Sequence, residues 1–408
     1  MKLLSYKVRV VLSGFIILGI SAWGFVQFSR NNPSKYTKVA KNLDSLITQS
    51  ETVSLQAKTY QNVFLDSLKN GLLVDSDSAR IRKKLELIAN KFFHDFRFGT
   101  QKPSLRFEGF KFDLKESVFK NKVNLAVSKG DLSDLFRQIN ETESKEVQTL
   151  LQVKRDSTHW KISQKNLIDK AIQEFRWLHQ VKRYYPLVLI NIPATELKYF
   201  EKGEVKLAMK TVVGRPEKPS KTLSSRIKTM IMFPLWEVPR SISVEELVPE
   251  IQKRIRYFHA SHLLIYNRNN ERVTPESVPW NRLNANYFPY RMVQRTGYWN
   301  TLGLLKFLFD NPFKMYLHDT SEKKLFAKEK RFYSHSCIRL EKPLELGKLF
   351  LNGNSIALDT LNPNTKQVDV SPIYLPVKRT IPLIIWYSLV DFNDKGDVRF
   401  YEDIYKKL

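Results

Sequence analysis

The octapeptide Tyr333–Leu340, YSHSCIRL, holds Cys337, the sole cysteine of a 408-residue chain. His335 precedes it by two positions and Arg339 follows it by two. A cysteine attacks a carbonyl only as its thiolate. It needs a base nearby, and it needs donors for the oxyanion that develops on the attacked group. Two imidazoles are near in sequence. His335 shares a face with Cys337 if the segment is extended and is separated from it if the segment turns. His318 ends the alternating run YLH, before Asp319 and Thr320. Fifteen residues, 319–333, separate it from Ser334, enough for a hairpin with an elaborate loop that brings two strand ends together. The competing reading of a single cysteine is a buried, inert thiol.

The elements around these residues are short strands. PLVLINIP is an apolar run suited to a buried strand. ELKYF and VKLAM alternate around Glu201-Lys202-Gly203-Glu204, a hairpin turn. MIMFPLWEVP, FKMYLHD and IPLIIWYSLV follow, then a hairpin around Asn393–Gly396. Such strand density from about residue 183 to 403 predicts a mainly β, sandwich-like or barrel-like domain. A stretch at about 243–312 with helix signals and many aromatic residues interrupts it, and suggests a lid or substrate-binding insertion. Before this domain, Ile81, Leu85, Ile88 and Phe92, and then Ile168, Ile172 and Phe175, recur at helical spacing. Gly99 is expected to stop the first of these helices, and 100–130 reads as short strands or loops. The class is therefore α+β, with a mainly helical scaffold over 51–182.

The N-terminus places this body. Lys2, Lys7 and Arg9 precede an uncharged run of nineteen residues, Val10–Phe28. As a helix at about 1.5 Å per residue it spans roughly the 30 Å hydrocarbon core. The charge asymmetry keeps residues 1–9 in the cytoplasm and exports the rest, as a single-pass protein of the inner membrane. A cleaved signal peptide is the alternative, with export in either case. Residues 29–50 read as a polar tether. Lys plus Arg number 67 against 41 Asp plus Glu, a net +26. That charge fits nucleic acid, a membrane surface or a wall polymer. Export, and the absence of a dense basic run or zinc-finger spacing, argue against nucleic acid.

The stretch from His318 to Arg339 resembles the signature of the L,D-transpeptidases, in which a His is followed by Ser/Thr-His-Gly-Cys and an Asn or Arg two residues on. NIPATELKYFEKGEVKLAMKTVVGRPEKPS, FPLWEVP, QRTGYWNTLGLLKFLFDNPFKMYLHDT and DKGDVRFYEDIY are similar to further segments of the larger Gram-negative members. The resemblance implies that Cys337 is the acylated nucleophile and His318 its base, keeping the thiolate and later activating the acceptor amine. It implies that the Asp319 carbonyl orients His318, that Ser334 and His335 shape the loop, and that the N–H groups of Ser336 and Cys337 form the oxyanion hole. Arg339 falls where the family contacts a substrate carboxylate, and Tyr316 shares the face of His318. Ser336 departs from the family's Gly, a position where a Cβ resists a left-handed backbone.

The implied reaction joins peptidoglycan stem peptides, donor and acceptor, in 3→3 cross-links in the periplasm. It needs neither metal nor organic cofactor, and other cell-wall enzymes are candidate partners. An exported cysteine hydrolase of stem peptides and a non-catalytic wall-binding protein are the alternatives. His259 and His262 form HxxH without a third ligand to complete a metal set. Trp280, Tyr287, Tyr290, Tyr298 and Trp299 line a groove or simply pack a core.

Overall fold

The computed structural model describes residues 35–73, 78–156, 160–351, 356–359, 361, 370–393 and 395–407. The expected cytoplasmic end and anchor, 1–9 and 10–28, lie outside the described residues. No helix among the described residues is long and apolar enough to cross a membrane. The chain divides into two units. One comprises 35–102 and 113–177, and the other 103–112 and 178 onward.

The first unit is helical. Its helices are α1 (Lys35–Thr48), α2 (Val63–Lys69), α3 (Ser78–Phe98), α4 (Glu116–Lys129), α5 (Leu132–Glu141) and α6 (Lys145–Asp156), followed by the start of α7 (Ile162–Tyr184). The tether expected over 29–50 is thus helix from Lys35 on. Val39, Ala40, Leu43, Leu46 and Ile47 form a buried stripe at helical spacing, which the polar residues between them masked. The strands or loops expected over 100–130 give way to α4, which buries Phe119, Val123, Ala126 and Val127. α3 ends as expected, with Gly99 at φ +79°; a Cβ there would lie 2.1 Å from the carbonyl oxygen of Gln173.

The second unit is built on a ten-stranded sheet. Its strands are β1 (Phe107–Glu108), β2 (Leu187–Asn191), β3 (Glu196–Glu201), β4 (Glu204–Gly214) and β5 (Leu223–Met232), with β10, β11, β12, β13 and β14 at Leu305–Phe309, Leu317–His318, Phe332–Ser334, Ile338–Leu340 and Ile373–Trp386. The order is β1-β5-β10-β11-β13-β4-β3-β2-β14, with β12 against β4. β5 also pairs with β14, so the sheet closes on itself, which modifies the sandwich-like expectation. Closure leaves the short β1, paired only with β5, at an edge. β3 and β4 meet in the expected hairpin, where Lys202 and Gly203 both take positive φ, as a right-handed strand pair requires. The core gathers Val188, Ile190, Leu197, Val213, Ile227, Leu305, Phe307, Leu317, Ile338, Leu340 and Leu383.

The insertion is less helical than its sequence suggests. Arg240–Lys253 is one helical run containing a π-turn at Ser243–Leu247. The rest includes β6 (Trp236–Glu237), β7 (Leu263–Tyr266), β8 (Arg272–Val273) and β9 (Arg291–Gln294), a small sheet in the order β6-β9-β7-β8. Val248, Ile251, Phe258, Ile265 and Met292 give it a core of its own. It ends earlier than expected, because LKFLF alternates buried and half-buried residues as β10 of the main sheet.

Candidate active site

β11 and β13 are parallel neighbours, with Leu317 opposite Ile338 and His318 opposite Arg339. This replaces the hairpin expected between them. The intervening chain makes a 3₁₀ turn at Lys323–Ala327 and then pairs β12 in parallel with β4. It thereby returns to the start of β11 before β13 begins. Alternation does the rest. Leu317, Ile338 and Leu340 are fully buried in the core. Tyr316, His318, Cys337 and Arg339 take the opposite face and line one cleft of about 390 Å³, with Ser334 and His335. Cys337 also lines a second cleft of about 880 Å³, with Tyr316, Ser336 and Lys306.

His318 is buried, and its Nδ1 donates to the carbonyl oxygen of Asp319 at 2.5 Å. The hydrogen bond leaves the Nε2 lone pair as the basic position of the ring. Burial, then the positive charges of Arg339 and Lys306, push its pKa down to about 3, against the opposing pull of Asp319. Cys337 is half-buried. Burial pushes its thiol up, against hydrogen bonds from the Tyr316 backbone and side chain and the charges of Lys306 and Arg339. Burial thus disfavours the charged form of each group, the thiolate of Cys337 and the imidazolium of His318.

Tyr316 stands edge-on to His318 with ring centroids 5.6 Å apart. Burial and the neighbouring Cys337 raise its phenol far above the ordinary range, while a hydrogen bond from Trp236 opposes them. The Asp319 side chain serves the backbone rather than the ring. Its Oδ2 accepts from Leu304 N at 2.9 Å, and its Oδ1 meets Lys323. Gly303, at φ +61°, makes this possible; a Cβ there would lie 2.4 Å from Asp319 Cγ.

Ser336 takes φ +83°, the left-handed region that a Cβ disfavours. Two contacts hold it there. Its hydroxyl donates to Pro219 O at 3.2 Å, and its carbonyl accepts from Ser220 Oγ at 2.7 Å. Ser220 Oγ in turn accepts from Gly214 N at 2.9 Å. Among the described residues, the amides of Ser336 and Cys337 donate to no protein group. Ser334 is buried, and its carbonyl accepts from Arg215 N at 2.9 Å.

His335 turns toward the insertion. Its Nε2 lies 2.5 Å from Glu246 Oε1, which also pairs with Arg215 at 3.3 Å. Arg339 is ion-paired to Glu322, and its Nε is buried without a partner among the described residues. The sequence reading missed Lys306, Trp236, Glu246 and Glu322. Glu246 lies 89 positions before His335, so no local pattern marks it. Lys306 alone had a signal, as the polar position between Leu305 and Phe307.

The remaining candidates separate. His259 pairs with Glu276 at 2.8 Å, while His262 stacks on Trp299 at 3.9 Å, so HxxH does not form one ligand set. Tyr290 lines the second cleft, whereas Trp280 packs against the insertion core. Tyr287 and Tyr298 are exposed.

Residues 185–358 match the family model described as the L,D-transpeptidase catalytic domain (YkuD). A curated Haemophilus influenzae protein named "Putative L,D-transpeptidase" is 25% identical over 240 residues, covering 59% of this chain and 48% of that protein. The chain thus spans about half the length of this relative. A solved Mycobacterium smegmatis L,D-transpeptidase aligns over 49% of this chain and 58% of its own, at 12% identity and a TM-score of 0.22. A mutant Enterococcus faecium L,D-transpeptidase aligns over 53% and 62%, at 8% identity and a TM-score of 0.22. Residues 185–358, the segment that carries the cleft-lining Tyr316, His318, Cys337 and Arg339, are thus similar to the L,D-transpeptidase catalytic-domain family.

Proposed function

We propose that this protein is a peptidoglycan L,D-transpeptidase that forms 3→3 cross-links through an acyl-enzyme on Cys337. The observation that carries the reading is the common face of Cys337 and His318, with the ring oriented through Nδ1 by Asp319 O. In the first half-reaction His318 Nε2 takes the thiol proton as sulfur attacks the carbonyl of the third stem residue. The oxyanion meets the free amides of Ser336 and Cys337. The C–N bond to the terminal D-alanine then breaks, and the leaving amine takes the proton from His318. In the second half-reaction the side-chain amine of another stem loses a proton to His318 and attacks the thioester. The C–S bond breaks, and the thiol is restored.

A thiol pushed up by burial and a base pushed down fit proton transfer in step with attack, rather than a standing thiolate. The opening of Cys337 onto two clefts supports transfer over hydrolysis, since a donor and an acceptor each need an approach. Tyr316 steadies the sulfur, and Arg339 contacts a substrate carboxylate by exchanging it for Glu322. The proposal extends to the rest of the chain. Residues 10–28 anchor it to the inner membrane, 51–182 form a scaffold, and the basic surface meets an anionic wall in the periplasm, with no nucleic acid partner.

The test is product analysis with tetrapeptide-stem muropeptides beside Cys337→Ala. Dimers linked 3→3, absent with the variant, support the proposal. Loss of D-alanine without dimers identifies a hydrolase instead, and the absence of any Cys337-dependent product favours a wall-binding protein.

A further inference from the structure

Lys306 stands out among the cations of the second cleft. It lies on β10 directly across from His318 in the antiparallel pair β10–β11. Its side chain is therefore on the face of Tyr316 and His318, opposite the buried Leu305 and Phe307. Its ammonium sits 3.8 Å from the centre of the Tyr316 ring. Among the described residues it has no carboxylate within ion-pair distance. The acidic side chain that acts on it is Glu237, which is itself paired with Arg291 at 3.3 Å. Burial pushes the Lys306 ammonium down, and a negative charge at Cys337 pulls it back up. A half-buried cation over an aromatic face, without a counter-ion, gains most from an anion delivered by a ligand.

The two clefts differ in this respect. In the first, Arg339 is paired with Glu322 and Lys218 with Glu245, so the lining cations are already compensated. In the second, Arg240, Lys306 and Lys314 line the wall with no carboxylate partner among the described residues. The second cleft is the one that calls for an anion.

We propose that Lys306 binds the terminal carboxylate of the residue expelled from the donor stem, fixing which peptide bond meets Cys337. This deepens, and rests on, the transpeptidase reading. The geometry fits one carboxylate in particular. In the donor, the terminal carboxylate lies one residue beyond the attacked carbonyl, about 3.8 Å along the chain. Lys306 and Cys337 line the same cleft and act on each other's charge, and the Lys306 ammonium lies over the ring of Tyr316, whose side chain hydrogen-bonds Cys337. The ammonium thus faces the cleft that opens onto the acylation point. A bound terminal carboxylate also holds the leaving amine beside His318, the group that protonates it.

The experiment uses the full chain and two synthetic tetrapeptide stems that differ only at the C-terminus, a free acid and the primary amide. Acylation of Cys337 is followed by intact-protein mass as a function of stem concentration. Wild type should prefer the acid by about 10- to 100-fold in kcat/KM, the range of a charge-assisted hydrogen bond. In Lys306→Met, which keeps the unbranched stem, that ratio should fall to within about twofold of one. Lys306→Arg should retain most of the preference. If Lys306→Met folds poorly, the same ratio on Lys306→Gln decides. A preference unchanged in the neutral variants, or absent in wild type, overturns the assignment while leaving the transpeptidase reading standing. Wild type that is acylated by neither stem overturns both.

Discussion

The Nδ1 of His318 and the carbonyl oxygen of its own neighbour, Asp319, are 2.5 Å apart, so the backbone itself fixes the ring. The carboxylate of Asp319 is occupied elsewhere, on Leu304 N and Lys323. Orientation of the base therefore depends on the path of the chain after β11, and that path depends on Gly303. Gly303→Ala places a Cβ against Asp319 at a left-handed position, and should cost at least ~2 kcal/mol of stability. Asp319→Asn keeps the backbone carbonyl and should retain more activity than Gly303→Ala. Paired thermal melts and acylation rates of the two variants check this.

The protonation states give a pH signature. A raised Cys337 pKa means that alkylation by iodoacetamide should climb through and beyond the ordinary thiol range. A rate that is already flat from pH 5 to 8 would mean a standing thiolate and would contradict the upward shift of the thiol.

His318 also links pH to stability. Its folded pKa, about 3, lies below its ordinary 6.5. The unfolded chain thus binds the proton first as pH falls. The stability held at neutral pH is lost between about 6.5 and about 3. His318→Gln should flatten that acid limb, as read from denaturant midpoints at pH 7, 5 and 4.

Glu174, in the helical unit, has the opposite sign. Burial raises its carboxyl from 4.5 to about 7, with Lys170 only 4.0 Å away in partial opposition. Folding favours the protonated form, so stability falls as pH rises from 4.5 to about 7. Glu174→Gln should raise the melting temperature at pH 8 and leave it nearly unchanged at pH 4.

Ser336 at φ +83° carries a backbone cost of about 1 kcal/mol, partly offset by its hydroxyl bond to Pro219. Ser336→Gly should be neutral or stabilising by up to ~1 kcal/mol and should remain active. Ser336→Val, β-branched and without the hydroxyl, should destabilise clearly. Chemical denaturation distinguishes the three proteins.

Much of the fold was legible because its signals are local. Alternation in ELKYF and VKLAM and the Lys202-Gly203 turn gave β3 and β4, and the spacing of Ile168, Ile172 and Phe175 gave α7. The misses share a cause. α4 is an amphipathic helix of modest contrast, held by what it packs against, and in α1 polar residues separate and mask the buried stripe. The parallel pairing of β11 with β13 could not be read from a fifteen-residue gap, because β12 consumes part of that gap on a different neighbour, β4. At the site, Cys337, His318 and Arg339 were visible through type and spacing. Lys306, Glu246 and Glu322 enter through pairings set by the closed sheet and the insertion, which no short window contains.

The central claim is that Cys337 becomes acylated. The direct measurement is the intact mass of the protein, followed by peptide mapping, after incubation with a tetrapeptide stem and no acceptor. The expected result is a mass gain equal to the stem less D-alanine, carried on the peptide containing Cys337 and absent in Cys337→Ala. D-alanine release with no adduct at Cys337, or an adduct that persists in Cys337→Ala, would contradict it.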